Sequence, residues 1–288
     1  MSSEHNIKEI LKKHNLAANK KLGQNFLVNP NTSLRIVEKS GISPDDVIIE
    51  LGVGFGTLTT HIAQKARQVI GIEIDSGFIE WHRKEKMLPE NVTLIHQDLL
   101  KSDFREISND IGAPLKIIAN LPYSISNPLL FKLVDHRDIM DWAVLMLQKE
   151  VAQRLTAKPG TKEYGVLSVL LGSCAQVETL MNIGPGQFHP RPKVDSQVVR
   201  ISFDRSLAKI KALPEFDFAL FKSIVNRAFQ QRRKTLLNAL SSGFPALSKI
   251  EITGLLEESQ ISPQIRAEKL TVDDYLRITQ AFLKSLNQ

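Results

Sequence analysis

The sequence predicts an α/β fold in which a doubly wound, mostly parallel sheet precedes a small all-helical domain. Between residues 46 and 148, short apolar, β-branched runs alternate with stretches of helical spacing. This alternation is typical of βαβ units, whose helices cover both faces of the sheet. After about residue 204 the strand signal fades and helical stretches follow one another. We therefore expect two domains, residues 1–204 and residues 205–288.

Five predicted strands form the sheet. They are nearly continuous apolar runs, as expected for strands covered on both faces. The runs are "DVIIELG" (46–52), "QVIGIEID" (68–75), "VTLIHQD" (92–98), "LKIIAN" (115–120) and "AVLMLQ" (143–148). A later run, "VVRISF" (198–203), follows the proline-rich turn "FHPRPKVDS" and is expected to close the sheet edge.

Helical spacing fills the intervals between these strands. The stretches "TLTTHIAQKA", "SGFIEWHRKEK" and "NPLLFKLVDH" have this spacing, with N-caps expected at Thr57, Ser76 and Asn127. Beyond residue 204, three further stretches predict the helices of the second domain: "FKSIVNRAFQQRRKTLLNALS", "IEITGLLEESQ" and "TVDDYLRITQAFLKSLN".

The composition, with 42% hydrophobic and 24% charged residues in 288, is that of a soluble globular protein. The single cysteine, Cys174, excludes an internal disulfide framework, fits a reducing compartment and is expected to be buried within "GVLSVLLGSCA". The sequence has no signal-peptide core and no run of membrane-spanning length, so we expect a cytoplasmic protein without a membrane partner. His61, His96 and His189 lack metal-ligand spacing, so we expect no metal.

Basic residues are concentrated at the two ends of the chain, whose net charge is +6. Residues 1–27 carry five lysines against two glutamates, net +3, and residues 205–288 carry thirteen basic against eight acidic residues, net +5. The middle of the chain is therefore net −2. This distribution indicates a polyanionic partner that contacts both flanks, although a merely solvated basic surface would have the same charge.

A glycine-rich turn follows the first predicted strand. Gly52, Gly54 and Gly56 in "ELGVGFGTLT" permit a tight turn and a close approach of a ligand to the backbone. The spacing is GxGxG, and Thr57 stands where the dinucleotide pattern GxGxxG has its third glycine. A tight turn without a ligand needs the same residues, so the turn alone leaves both interpretations open.

Acidic residues end the next two predicted strands. Glu73 follows Gly52 by 21 positions, the spacing at which an acid reaches a ribose diol. Asp98 ends the third strand, where its carboxylate can accept a hydrogen bond from the exocyclic amine of an adenine. Because ligands of such sheets bind at the carboxyl ends of the strands, the turn and both acids predict one nucleoside site. No obvious Lys or Arg accompanies them to neutralise a pyrophosphate, which favours S-adenosylmethionine as the cofactor.

The fourth predicted strand runs into "NLPYSIS" (120–126), and with this motif the chain resembles the Rossmann-like methyltransferases that act on N6 of adenine. More closely, it resembles the ribosomal RNA adenine N6,N6-dimethyltransferases of the small subunit. The matching segments are "KKLGQNFL" (20–27), "ELGVGFGTLT" (50–59), "GIEID" (71–75), "QDLL" (97–100), "NLPYSIS", "LQKEVAQRL" (147–155) and "FHPRPKVDSQVV" (188–199). Val53 and Ser124 depart from the proline and asparagine that many relatives have at these positions.

The resemblance implies an enzyme that uses S-adenosylmethionine to dimethylate N6 of two adjacent adenines near the 3′ end of 16S ribosomal RNA. The substrate would be the small subunit or its precursor, so the reaction would belong to small-subunit biogenesis, and we expect a monomer. A resistance-type methyltransferase acting on large-subunit RNA shares the "NLPY"-like loop and is one alternative. A non-catalytic nucleic-acid-binding assembly factor on the same fold is the other.

The resemblance further implies ten cofactor-binding residues: Gln24, Asn25, Leu27, Gly52, Gly54, Glu73, Ile74, Asp98, Leu99 and Asn120. Gly52 would lie against the methionine portion of the cofactor. Glu73 would bind the ribose hydroxyls and Asp98 the adenine amine, while Asn120 would stand between cofactor and substrate.

The substrate side of the site is expected to consist of Asn120, Leu121, Pro122, Tyr123 and Phe188. Methyl transfer puts positive charge on the exocyclic nitrogen, which the side-chain oxygen of Asn120 and a carbonyl of the Leu-Pro turn would stabilise. No strong general base is needed, because the methylated nitrogen is acidic once charged. A flipped adenine would stack on Tyr123, with Phe188 as the candidate for its opposite face and core packing as an equal alternative for Phe188.

RNA binding is expected from eight basic residues: Lys20, Lys21, Lys149, Arg154, Arg227, Arg232, Arg233 and Lys234. The last four are predicted to lie on one helix, in "NRAFQQRRK", with Phe229 on its buried side. A solvated helix face is the alternative interpretation of this cluster.

Overall fold

A computed structural model of the chain describes residues 24–120, 122–203 and 216–286. Lys20, Lys21 and Leu121, three of the predicted site residues, lie outside these ranges. The chain divides into two compact units, one of residues 1–152 and 177–203, the other of residues 153–176 and 204–288. The predicted domain bounds, 1–204 and 205–288, stay a prediction. These two units differ from them because residues 153–176 belong to the second unit.

Nine strands are present in the described residues. Their bounds are β1 Phe26–Leu27, β2 Val47–Leu51, β3 Gln68–Glu73, β4 Val92–His96, β5 Leu115–Asn120, β6 Met140–Gln148, β7 Gln176–Ile183, β8 Phe188–His189 and β9 Ser196–Ser202. β1 and β8 form a two-stranded antiparallel ribbon, and the others form one seven-stranded sheet.

The large sheet has the order β4, β3, β2, β5, β6, β9, β7. Strands β2 to β6 pair with one another in parallel, and β9 pairs with β6 antiparallel. The chain moves outward from β2 to β4 and then crosses to β5 on the other side of β2. The predicted doubly wound α/β fold is confirmed, and its topological switch point lies between β2 and β5.

The predicted edge of the sheet was wrong. The run at 198–203 belongs to β9, which lies second from the edge, and β7 is the edge strand. Most residues of its sequence, "QVETLMNI", are exposed or half-buried, and one of them, Glu178, is charged. An edge strand of this kind has one side in contact with solvent. Such a strand has no continuous apolar run by which it could be recognised.

Five helices of the sheet-bearing part are α1 Pro30–Lys39, α2 Thr59–Ala63, α3 Ser76–Glu85, α4 Phe104–Ile111 and α5 Ser126–Asp135. Three of them match predicted helices, but the expected caps were wrong. The N-cap of α3 is Asp75, whose carboxylate accepts from the Gly77 N–H at 2.9 Å, and α2 and α5 begin after Leu58 and Ile125. Aspartate and serine are equally good N-cap residues, so the sequence "IDSG" did not decide between Asp75 and Ser76.

The remaining helices are α6 Lys149–Leu155, α7 Val166–Cys174, α8 Phe218–Gln230, α9 Leu236–Gly243, α10 Lys249–Glu258 and α11 Val272–Leu286. Cys174 is buried, as expected. The continuous helix predicted over 221–241 is wrong: α8 ends at Gln230 and α9 starts after Thr235, whose side chain accepts from the Asn238 N–H at 3.4 Å. Arg232, Arg233 and Lys234 therefore lie in a turn between two helices.

The core of the first unit joins the sheet to the helices beside it. Fully buried residues of β2, β3, β6 and β9 pack with α1 and α2, among them Ile48, Val69, Val144 and Val198. No described helix is both long enough and apolar enough to cross a membrane.

Candidate active site

A cavity of about 260 Å³ opens at the carboxyl ends of β2, β3 and β5, at the switch point of the sheet. All ten residues predicted to bind the cofactor line it: Gln24, Asn25, Leu27, Gly52, Gly54, Glu73, Ile74, Asp98, Leu99 and Asn120. Pro122 and Ser124 line it as well. Residues from five separate parts of the chain are thus brought together in one concave site, as a ligand pocket requires.

The glycine turn after β2 forms one wall of the cavity. Gly52 and Gly54 have φ of +82° and +51°, backbone angles that residues other than glycine rarely adopt. The Gly52 N–H donates to the Ile72 carbonyl at 2.8 Å, which fixes the turn to β3. A Cβ on Gly54 would lie 3.1 Å from the ring of Phe26, so the N-terminal segment packs directly on this turn.

Glu73 is 4% exposed, and its carboxylate organises the turn from the end of β3. Its Oε2 accepts from the Gly54 N–H at 2.8 Å, and its Oε1 accepts from the N–H groups of Ile74 and Asp75 at 2.9 Å each. Burial raises the pKa of Glu73, although these hydrogen bonds act in the opposite direction. The carboxylate therefore holds the glycine turn in place and still has lone pairs to offer at the cavity wall.

The turn after β4 forms the next wall. Asp98 accepts from the Leu100 N–H through Oδ1 at 2.9 Å, a local bond that leaves its other oxygen available. The ammonium of Lys132, on α5, donates to the carbonyls of Leu99 at 3.1 Å, of Leu100 at 2.8 Å and of Ser102. Burial lowers the pKa of Lys132. Lys132 thus ties the helix that follows "NLPYSIS" to the turn that carries Asp98.

Asn120 ends β5 beside the glycine turn. Its Nδ2 donates to the Asn25 carbonyl at 3.2 Å, so the amide is orientated and its Oδ1 is left as an acceptor. A Cβ on Gly52 would lie 3.8 Å from the Asn120 carbonyl oxygen. Pro122 follows at the cavity, but its carbonyl already accepts from the Ile125 N–H at 3.1 Å.

Tyr123 and Phe188 do not line the cavity. Tyr123 is half-buried next to it, with its phenol oxygen 2.9 Å from the Ser196 hydroxyl, and burial raises the pKa of this phenol. Phe188 is 3% exposed and belongs to the hydrophobic core, opposite Leu27 in the β1–β8 ribbon. Of the two interpretations of Phe188, its placement favours core packing, and we leave it out of the proposed site.

Several cavity residues were not predicted from the sequence: Phe26, Glu50, Val53, Phe55, Thr57, Leu58, Ile72, Gln97, Leu100, Ser124 and Ile125. Many are apolar neighbours of predicted residues in the same motifs. The aromatic ones form a cluster in which the ring centroids of Phe26 and Phe55 lie 4.8 Å apart, edge to face, and Phe78 and Trp81 complete it. Phe26 and Phe55 both belong to motifs quoted above, and their aromatic side chains were a signal from which this cluster could have been predicted.

Glu50 is the most informative of these residues. It is 1% exposed, lies at the end of β2 and, among the described residues, finds no hydrogen-bond partner for Oε2. Burial raises the pKa of Glu50 to about 8, although the hydroxyl of Thr59 beside it acts in the opposite direction. By geometry, neither the Thr59 hydroxyl nor the Glu50 Oε2 completes a hydrogen bond within the described residues. A buried carboxyl with an unpaired oxygen is costly unless a ligand satisfies it, so it points to a cationic or hydrogen-bond-donating group in the cavity.

Comparison with known proteins identifies the family. A sequence model for the ribosomal RNA adenine dimethylases matches residues 15–284. The ribosomal RNA small subunit methyltransferase A of Desulfotalea psychrophila is 47% identical, over 100% of this chain and 99% of its own. The protein of the same name from Alkaliphilus metalliredigens is 41% identical, over 95% of this chain and 94% of its own.

The chain belongs to the ribosomal RNA adenine dimethylase family. A dimethyladenosine transferase from Plasmodium falciparum superposes with a TM-score of 0.73 at 28% identity, covering 89% of this chain and 96% of that one. The 23S rRNA methyltransferase ErmE has the same fold, with a TM-score of 0.60 at 22% identity, covering 91% of this chain and 100% of that one.

The predicted RNA-binding residues of this dimethylase differ in how they are held. Lys149, in the first unit, is half-exposed, and its Nζ lies 3.9 Å from Oδ2 of Asp195. In the second unit, Arg227 donates to the Ser223 hydroxyl at 3.1 Å, and its guanidinium lies 4.5 Å from the centre of the Phe244 ring. Arg154 is exposed at the end of α6. Phe229 is buried, as predicted.

Arg232 of the dimethylase has an internal role. Its Nη2 donates to the carbonyls of Lys162 and Tyr164 at 3.1 Å each and pairs with Glu268 at 3.3 Å. Arg233 and Lys234 beside it are exposed. The basic cluster therefore contains side chains with structural partners and others that are open to solvent. No group of three or more metal-ligating side chains occurs in the part of the chain that the structure describes.

Proposed function

We propose that this ribosomal RNA adenine dimethylase transfers methyl groups from S-adenosylmethionine to N6 of two adjacent adenines near the 3′ end of 16S ribosomal RNA. The observation that carries the proposal is the single cavity at the switch point. Its lining includes the glycine turn, Glu73 and Asp98 on one side and Asn120 and Pro122 on the other. The relatives named as small-subunit methyltransferases, at 47% and 41% identity, support the choice of substrate.

The cavity lining fits S-adenosylmethionine. It contains three carboxyl groups, of Glu50, Glu73 and Asp98, and no Lys or Arg among the described lining residues. An uncharged nucleoside with a cationic amino-acid portion suits such a lining, whereas a pyrophosphate does not. The cofactor supplies an electrophilic methyl group on a sulfonium when it is bound.

The chain's own residues would hold the cofactor in three places. The unpaired Oε2 of Glu50, beside the Gly52 turn, would accept from the ammonium of the methionine portion. Glu73, already orientated by backbone N–H groups, would accept from the ribose hydroxyls. Asp98, in the turn held by Lys132, would accept from the adenine amine.

On the substrate side, Asn120 would accept a hydrogen bond from the target amine through Oδ1, because its Nδ2 is held by the Asn25 carbonyl. A backbone carbonyl of the Leu-Pro turn would be the second acceptor, and the Pro122 carbonyl, which accepts from the Ile125 N–H at 3.1 Å, still has a lone pair to offer. These acceptors would stabilise the positive charge that develops on the nitrogen. Tyr123, held by Ser196 beside the cavity, would stack on the flipped adenine, and such stacking is worth about 1–3 kcal/mol per base.

The remaining assignments rest on the same family membership. We place the protein in the cytoplasm as a monomer that acts on the small subunit or its precursor during subunit biogenesis, with Arg233, Lys234 and the predicted flanking lysines on the RNA. The large-subunit methyltransferase with the same fold is 22% identical, which argues for the fold alone. A non-catalytic factor would have no physical need for a buried, unpaired Glu50 carboxyl, since an unsatisfied buried group costs stability.

The test is to incubate the full chain with labelled S-adenosylmethionine and either unmethylated small subunits or unmethylated large subunits. The proposal expects N6,N6-dimethyladenosine in 16S ribosomal RNA and none in the large-subunit RNA. Label on the large subunit alone would favour the resistance-type alternative. Absence of label on both, with no heat of cofactor binding in calorimetry, would favour the non-catalytic factor.

A further inference from the structure

His82 forms a hydrogen bond to the glycine turn of the cavity without lining the cavity itself. It lies on α3 and is 4% exposed. Its Nε2 is 2.7 Å from the carbonyl oxygen of Gly54, a residue that does line the cavity. Because a carbonyl oxygen only accepts hydrogen bonds, Nε2 carries the proton and donates it. His82 therefore reaches the cavity wall through the backbone.

Both backbone groups of Gly54 are held by side chains of one continuous segment. The Gly54 N–H donates to Oε2 of Glu73 at 2.8 Å, and its carbonyl accepts from His82. Glu73 ends β3, and α3, which follows at once with Asp75 as its N-cap, carries His82. Gly54 lies outside the strands, so no sheet ladder satisfies these two groups. The segment 73–82 therefore fixes the orientation of the backbone on both sides of Gly54.

The imidazole of His82 also packs against the turn. A Cβ on Gly56 would lie 3.2 Å from Cε1 of His82, and Gly56 has φ of +71°. Glycine at position 56 thus leaves the room that the ring occupies. The centroid of the imidazole lies 4.6 Å from that of the Trp81 ring, which belongs to the aromatic cluster beside the cavity. His82 is thus in contact with both the turn and this cluster.

The proton of His82 is confined to Nε2. Its Nδ1 is buried and makes no hydrogen bond within the described residues, so a second proton there would be an N–H without an acceptor. Burial lowers the pKa of His82, although its bond to the Gly54 carbonyl acts in the opposite direction. A neutral donor suits this place, because a cation next to the wall would repel a cofactor that itself carries positive charge.

We propose that His82 is a positioning residue for S-adenosylmethionine, which acts by holding the Gly54 carbonyl and so keeps the glycine turn in register with Glu73. The inference rests on the proposed cofactor, whose methionine portion would lie against the turn and whose ribose would lie on Glu73. Without the His82 donor, the peptide unit after Gly54 can rotate. Cofactor affinity should then fall, whereas the chemistry of bound cofactor should not change, because His82 does not line the cavity.

The experiment compares substitutions of His82 in the full chain. The amide nitrogen of glutamine is as many bonds from Cα as Nε2 of histidine, so His82→Gln keeps a donor at the same reach, whereas the shorter amide of His82→Asn does not. His82→Leu removes the polar group altogether. The Kd for S-adenosylmethionine, measured by calorimetry, should rise about threefold to tenfold in His82→Leu and His82→Asn and stay within about twofold in His82→Gln. kcat at saturating cofactor should stay within about twofold in all of them.

His61→Leu is the matched control. His61 lies on α2, its Nδ1 is likewise buried without a hydrogen bond in the described parts of the chain, and it does not line the cavity. Its replacement should leave the Kd unchanged. A second measurement uses the protein without cofactor. Nitrogen-15 spectra of the imidazoles should show the His82 proton on Nε2, and the Gly54 amide signal should shift in His82→Leu and return in His82→Gln.

A Kd for both His82→Leu and His82→Asn within about twofold of the wild-type value would overturn the proposal. Equal losses in His82→Gln and His82→Asn would overturn it too, because the packing of the ring and not its donor would then matter. So would a proton found on Nδ1. The comparison of glutamine with asparagine stands on its own if His82→Leu does not fold.

Failure of the proposed function gives a different result. If the wild type shows no heat of cofactor binding and transfers no methyl group, the proposed reaction and this role of His82 fail together. If the wild type binds the cofactor and methylates small subunits while every His82 variant binds the cofactor equally well, only the role of His82 fails.

Discussion

The hydroxyl of Tyr123 lies 2.9 Å from that of Ser196, a residue that is fully buried at the start of β9. This hydrogen bond joins the "NLPYSIS" loop to the "PKVDS" segment, two motifs that are 73 positions apart. It ties the phenol oxygen of Tyr123 to the start of β9, beside the cavity.

Removing this hydrogen bond is expected to slow methyl transfer without changing cofactor affinity. In Ser196→Ala the ring of Tyr123 loses its anchor, so kcat should fall about threefold to tenfold, as expected for the loss of one neutral hydrogen bond of about 1 kcal/mol. Tyr123→Phe is the matched variant, because it removes the same bond and keeps the ring. If the double variant loses much more activity than either single one, Ser196 acts by some route other than Tyr123.

Asn120 is expected to act in turnover and not in RNA binding. Asn120→Ala removes an acceptor that the proposed mechanism uses only as charge develops, so kcat should fall about 100-fold or more while the affinity for small subunits changes less than about twofold. Single-turnover transfer and filter binding measure the two quantities. Equal losses in both would contradict the placement of Asn120 at the reacting nitrogen.

Glu50 makes the stability of the protein depend on pH. Burial raises the pKa of Glu50 from 4.5 to about 8, so between these values the native carboxyl holds a proton that the unfolded chain has lost. Its contribution to the free energy of unfolding is therefore full below pH 4.5 and falls as pH rises towards 8. Glu50→Gln stays neutral throughout, so it should gain a few kcal/mol over the wild type between pH 5 and 9.

Urea unfolding at pH 5, 7 and 9, without cofactor, measures this difference for Glu50. The control is Glu258→Gln, which removes an exposed carboxylate that pairs with Lys284 on the surface. The quantity compared is the gain in free energy of unfolding of each variant over the wild type. If this gain changes with pH no more for Glu50→Gln than for the control, Glu50 is ionised in the native protein at neutral pH.

Lys132 is expected to support cofactor binding through the turn at Asp98. Its ammonium bridges the carbonyls of Leu99 and Leu100, so Lys132→Met leaves these carbonyls without their donor and loosens the adenine side of the cavity. The Kd for S-adenosylmethionine should rise about tenfold, whereas kcat at saturating cofactor should stay within about twofold.

A lysine in the same turn provides the control for Lys132. Lys101 is exposed, and Lys101→Met should leave the Kd for the cofactor unchanged. A loss of kcat without a change in Kd for Lys132→Met would show that this lysine serves the substrate loop and not the cofactor.

Arg232 and Arg233 are adjacent but are expected to respond in opposite ways. Arg232→Gln breaks the bonds to Lys162 and Tyr164 and should lower the free energy of unfolding by about 1–3 kcal/mol. Arg233→Gln should leave stability within about 0.5 kcal/mol and reduce RNA affinity and its salt slope. Urea unfolding and salt-dependent binding of both variants test this. If Arg233→Gln alone is destabilising, the placement of these two side chains is reversed.

Much of the fold could be predicted because its central strands are buried on both faces. The runs at 47–51, 68–73 and 115–120 are nearly continuous and mostly apolar, so hydrophobicity locates them. The edge strand β7 has no such run, since one side of it faces water. The break at Thr235 was missed because a cap and a turn of charged residues occupy only a few positions between two amphipathic helices.

The site was predictable where a motif carries its chemistry at the end of a strand. Glu73 and Asn120 are the last residues of recognisable strands, Gly52 and Asp98 come shortly after such strands, and the topology of the sheet brings these ends together. Glu50 was missed because its significance lies in burial without a partner, which spacing does not reveal. For Phe188 the sequence left core packing and substrate stacking open, because an aromatic residue beside a proline-rich turn looks the same in sequence in either place, and its burial favours the core.

The β1–β8 ribbon has a consequence for synthesis. Phe26 and Leu27 pair with His189 and Phe188, and the Val28 N–H donates to the Gln187 carbonyl at 2.9 Å. The cavity wall formed by the N-terminal segment is thus fastened to a part of the chain made more than 150 residues later. On the ribosome, where chains emerge from the N-terminus, a nascent chain that ends before β8 cannot yet hold that wall in place. Cofactor binding should therefore become possible only after about two thirds of the protein has left the exit tunnel.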